Sequence, residues 1–105
     1  MIQLSLDYHK VGNPKMYPGH TVNISEGGLM LSGPGRIEVC EELELRIYHS
    51  SKPSFGIIPA IVKVVWTQND PKEVGNYRFG ASFINISPGD KEALKVFLKD
   101  HASPG

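Results

Sequence analysis

The sequence predicts a mainly β protein, a small six-stranded antiparallel barrel with one C-terminal α-helix. Three observations carry this. Short apolar runs alternate with polar residues at the period of a strand. Turn formers separate those runs at short intervals. The period changes once, after Ser87, to that of an amphipathic helix.

The first strand is expected over 2–9, where Ile2, Leu4, Leu6 and Tyr8 alternate with Gln3, Ser5, Asp7 and His9. Turn residues at 11–15 end it. Strands over 17–24 and 28–32 flank a polar turn, and Gly33-Pro34-Gly35 breaks the second. A fourth strand, 41–48, sets Leu43, Leu45 and Ile47 against Glu42, Glu44 and Arg46. A polar loop is expected over 50–54. The run 57–68 is a long β-branched strand whose Pro59 calls for an edge or a bulge near its start. The last strand covers 77–86, with Gly80 inside it.

A helix is expected over 88–100. Ser87 suits the cap, Pro88 the first helical position and Asp90 the positive end of the dipole. Ala93, Leu94, Phe97 and Leu98 fall on one face. The expected core is Leu4, Leu6, Leu43, Leu45, Val62, Val64, Phe79, Phe83, Leu94 and Phe97.

With 105 residues and no repeat or linker, the chain reads as one domain, 1–105. The 11 basic and 11 acidic residues cancel, which disfavours binding of an extended nucleic acid backbone but not of a small anion. Cys40 is the only cysteine, so no intrachain disulfide forms and a reducing compartment is expected. No apolar run approaches the roughly 18 residues of a membrane span, and no signal peptide is expected. The expected location is the cytosol.

The most informative stretch is Asn23-Ile24-Ser25-Glu26-Gly27-Gly28. Its short oxygenated side chains hydrogen-bond nearby backbone. Its glycines allow positive φ or close approach of another backbone or a ligand. Such a turn suits an anion or nucleotide edge, and it equally suits an ordinary connection between strands.

The order of the surrounding elements resembles the PilZ domain, a small bacterial β-barrel family that receives the second messenger cyclic di-GMP. Three stretches carry the resemblance. Residues 21–31 are similar to the family's Asp/Asn-x-Ser-x-x-Gly turn in its strand setting. Residues 60–66 are similar to its strand ending in tryptophan, and 77–83 to its Gly-x-x-Phe strand before the terminal helix. The resemblance implies a PilZ-like barrel with ligand-binding residues Asn23, Ser25, Gly27, Gly28 and Trp66, and cyclic di-GMP as candidate ligand without any further cofactor.

Family members that bind the messenger also carry Arg-x-x-x-Arg just before the first strand. Its planar, bidentate side chains clamp phosphates and stack on bases. The arginines of these 105 residues are Arg36, Arg46 and Arg78, none at that spacing. The expectation is that the motif lies upstream of Met1 or that the chain is a divergent member without it. Two lost clamping arginines would remove about 3–6 kcal/mol, a factor of about 10² to 10⁴ in affinity. Asn23 stands where aspartate is common, and an amide donates as well as accepts.

Other constellations read as structural. His9, His20, His49 and His101 show no metal-ligand spacing, so no metal is expected. Ser25 lacks a Gly-x-Ser-x-Gly elbow, and Cys40 beside Glu41 and Glu42 is not activated. The chain is therefore expected not to be an enzyme. Two functions remain: a PilZ-type regulatory module binding cyclic di-GMP, weakly or not at all alone; or a PilZ adaptor acting by protein–protein interaction in motility, pilus or polysaccharide control. A protein partner, or other domains of a larger chain, is expected in either case.

Overall fold

The computed structural model describes residues 4–51 and 54–101; the side chains of 50–51, 54–55 and 99–101 lie outside that description. Six strands come first: β1 (Ser5–Lys10), β2 (Tyr17–Ile24), β3 (Gly28–Gly33), β4 (Glu42–Ser51), β5 (Ser54–Asn69) and β6 (Tyr77–Asn85). One helix, α1 (Pro88–His101), follows. All pairings are antiparallel, and the order β1-β2-β3-β6-β5-β4 closes because β4 returns to β1. The expected architecture is the observed one. Residues 2–3, expected in the first strand, lie outside the described residues.

Closure buries one face of every strand. Nine of the ten expected core residues are buried, from Leu4 through Phe97, along with Tyr8, Leu29, Leu31, Ile37, Ile47 and Ile58. Phe83 is the exception. It is half-buried and packs on the rim of the core. It sits beside a bulge where β6 spends two steps, Asn85 to Phe83, against one step of β5. That irregularity lies at the end of the β5–β6 ladder, where enclosure is incomplete.

Tyr8 anchors the β3–β4 connection. Its ring stacks on Tyr17 at 5.5 Å and meets Phe79 edge-on at 5.4 Å. Its hydroxyl accepts from the Gly35 N–H at 2.7 Å and donates to the Gly35 carbonyl at 3.1 Å. Burial pushes that hydroxyl up to about 12.

Of the polar loop expected over 50–54, residues 50, 51 and 54 are strand instead, Ser50 pairing with Phe55 and Ser51 with Ser54, while Lys52 and Pro53 lie outside the described residues. Main-chain hydrogen bonds extend the hairpin whatever the polarity of the side chains. Pro59 occupies the edge its sequence demanded. From Ser54 to Ala60, β5 pairs with β4, and β6 joins only at Ile61. Cys40 precedes β4 in a left-handed conformation (φ 74°), with its N–H on the Val64 carbonyl at 2.8 Å.

Ser87 caps α1. Its Oγ accepts from the Asp90 N–H at 3.2 Å and donates to the Asp90 carboxylate at 2.7 Å. Leu94 and Phe97 enter the barrel's core, so the helix's apolar face is spent on packing.

Candidate functional site

The β2–β3 hairpin turns at Glu26-Gly27. The Ser25 N–H and Oγ–H both donate to the Gly28 carbonyl, at 2.9 and 3.3 Å. The Phe83 N–H donates to the Gly27 carbonyl at 3.1 Å and ties the turn to β6. Gly28 is fixed by sterics: a Cβ there would strike the Ala81 carbonyl of β6. Its close approach is to another strand, at an ordinary φ.

Two β-bulges aim the flanking side chains. In β2, Thr21 faces Leu31 inside the barrel, and Asn23 faces Met30, so Val22 is an extra residue. In β5, Val64 faces Ala81 and Trp66 faces Gly80, so Val65 is extra. Without the bulges, Asn23 would keep the inward phase of Thr21, and Trp66 that of Val62 and Val64. With them, Asn23, Met30, Gly80 and Trp66 form one row on the outer face, across β2, β3, β6 and β5.

That row and the turn enclose a groove of about 230 Å³. Asn23 and Ser25 are exposed at it, while Gly28, Met30 and Trp66 are half-buried. The indole of Trp66 covers the place where a Gly80 side chain would stand. The arrangement offers an aromatic face, a thioether, an amide and a hydroxyl. Among the described residues, no charged one lines the groove. It therefore suits a flat heterocycle bearing hydrogen-bonding edges better than a bare ion.

Of the five expected site residues, Asn23, Ser25, Gly28 and Trp66 line this groove. Gly27 lies outside it and lines a separate hollow with Glu26, Phe83 and Lys91. Met30 and Gly80 were not expected there. Met30 was legible as the outward residue between buried Leu29 and Leu31, and Gly80 as a glycine inside a strand.

Beyond the row, the β5–β6 connection folds over the outer face. The Ser32 hydroxyl donates to the Asp70 carboxylate, and Arg78 Nη2 lies 3.6 Å from the same group. The Ser32 hydrogen bond, then the Lys72 N–H, hold the Asp70 carboxyl below its usual range. A larger hollow of about 370 Å³ lies by the helix start, but its His9 and Glu44 bind each other at 3.1 Å. Among the described residues, no cluster of His, Cys, Asp and Glu could hold a metal ion. No helix there is long and apolar enough to cross a membrane.

Comparison with known proteins agrees with this fold. Residues 2–100 match the PilZ domain. Among solved structures, the chain is similar to the Bacillus subtilis inhibitor of motility MotI/DgrA. The TM-score is 0.80 at 21% identity, over 94% of this chain and 46% of that one. The chain thus spans about half the length of that protein. It is also similar to the PilZ domain of CeSA from a cellulose-synthesizing bacterium, with TM-score 0.56 and 15% identity over 95% of each chain. At these identities the structural likeness concerns the barrel itself. No curated protein matches the chain. The sequence match runs over almost its whole length, and the chain belongs to the PilZ domain family.

Proposed function

We propose that this chain is a regulatory module of bacterial second-messenger signalling whose groove receives cyclic di-GMP in the cytosol. The observation that carries the reading is the pair of bulges. They turn Asn23 and Trp66 to the same outer face as the Ser25–Gly28 turn. Packing alone does not require a tryptophan to leave the inward phase of its strand. In this reading a guanine rests on the Trp66 face, the Asn23 amide meets its hydrogen-bonding edge, and Ser25 offers its hydroxyl to the ligand.

The groove has no cation among its lining residues, so these residues alone bind weakly, at roughly tens of micromolar or worse. Titration calorimetry of this chain with cyclic di-GMP tests that. Joining an Arg-x-x-x-Arg segment ahead of Ile2 should tighten binding by one or more orders of magnitude, because phosphate clamps then meet a preformed turn. Ser25→Ala should weaken the gain. Nanomolar binding by the unaltered chain would show that other residues supply the clamp.

A second reading is an adaptor that binds no nucleotide and contacts a protein in motility, pilus or polysaccharide control. Its support is the likeness to a motility inhibitor. A grafted chain that folds correctly yet stays inert toward cyclic di-GMP would favour it.

A further inference from the structure

We infer that Lys63 supplies the groove with a phosphate-facing cation. The inference rests on the reading that the groove takes cyclic di-GMP. It comes from cross-strand register. Lys63 pairs with Ser82, and Ser82 pairs with Gly28, so the three stand in one row across β5, β6 and β3. This row lies directly beside the Trp66–Gly80–Met30 row of the groove. Lys63 and Ser82 are exposed, on the outer face of the barrel.

The distances suit the task. Two strand spacings, about 10 Å, separate the Lys63 backbone from that of Gly28. The flexible four-carbon stem of lysine reaches over the single intervening strand toward the turn. Among the described residues, Lys63 enters no ion pair. Two nearby cations are committed, Arg78 to Asp70 and Lys10 to Glu41, and Lys91 lies in the separate hollow that Gly27 lines. The uncharged groove recognises a base but leaves a phosphodiester without a counter-charge. Lys63 is the cation that register places on its border, with the Ser82 hydroxyl beside it.

Glu42 opposes this. It is the cross-strand partner of Lys63 on the β4 side, and its carboxylate draws the ammonium away from the turn. Ligand binding then needs the Lys63 ammonium on the Gly28 side, against the pull of the Glu42 carboxylate. Removing Glu42's charge should help binding, and removing Lys63's charge should harm it.

The test is a set of amide NMR titrations of the intact chain with cyclic di-GMP up to millimolar concentration. The shifts of Asn23, Ser25 and the Trp66 indole report groove occupancy. Lys63→Met should weaken binding about fivefold and flatten its salt dependence. Lys63→Arg should bind at least as well as the parent. Glu42→Gln should bind more tightly. Lys72→Met, an exposed lysine in the β5–β6 connection, should change nothing. If the groove signals respond but Lys63→Met binds like the parent with the same salt dependence, the Lys63 inference is overturned and the groove reading stands. If no groove signal moves at any concentration, even with an Arg-x-x-x-Arg segment joined ahead of Ile2, both are overturned.

Discussion

The indole of Trp66 covers the face of Gly80 across the β5–β6 ladder, in the space a side chain there would occupy. Neither residue is in its default place. Trp66 is outward because Val65 is an extra residue in β5. Gly80 offers no side chain to a sheet, yet it stands between buried Phe79 and Ala81. The pair makes the floor of the groove: one residue supplies the aromatic surface and the other the room to lie down.

Gly80→Ala should displace that ring. Trp66 is the only tryptophan, so its fluorescence reports the change without interference. The expected outcome is a shifted emission maximum and a loss of about 1–3 kcal/mol, the usual range for overpacking. Gly27→Ala is the control, because no atom lies within 4 Å of the position its Cβ would take. Equal emission spectra for the parent and Gly80→Ala would contradict the packing described.

The two β6 phenylalanines should differ. Phe79 is fully enclosed and contacts Tyr8, so Phe79→Ala should cost about 3–5 kcal/mol. Phe83 is half-buried, and Phe83→Ala should cost clearly less. Urea denaturation of both variants measures the order. A larger loss at Phe83 would place the core on the wrong side of the β6 bulge.

Tyr8 sets an alkaline limit. Its folded value, about 12, lies above the ordinary 10 of an unfolded chain. The folded state therefore holds this proton more tightly. The stabilisation is complete below pH 10 and is lost as pH rises toward 12. Tyr8→Phe should remove this part of the alkaline loss. At neutral pH it should cost about 1–3 kcal/mol, because the buried Gly35 N–H loses its acceptor. Melting temperatures across that range check both effects.

Cys40→Gly should stabilise the fold. A left-handed non-glycine residue costs on the order of 1–2 kcal/mol, and glycine recovers part of it against its greater chain entropy. The thiol is exposed, so no packing is lost. A lower melting temperature for this variant would mean that the thiol makes a contact worth more than the strain.

The candidate site was half legible. The Asn23–Gly28 turn is local, and its residue types announce a hairpin at any position in a fold. Trp66 could be named, but its direction could not: by alternation it shares the phase of Val62 and Val64. The groove's cross-strand rows join residues far apart in the chain, as Lys63, Ser82 and Gly28 show. No local pattern connects them.

By itself the sequence determined the strands, the helix and the hairpin turn. Hydrophobic period, turn residues and the Ser87 cap act over a few neighbours, and each is written in consecutive residues. It also determined most of the core, because alternation along a strand is alternation between the two faces of a barrel wall. Only the tertiary structure decided that Asn23 and Trp66 face outward together, that Phe83 stays at the rim, and that Ile37 reaches the core from the β3–β4 connection. A bulge exists only relative to a partner strand: the extra residue is a mismatch in count between two segments. Val22 and Val65 look like any other strand residues until β3 and β6 are laid beside them.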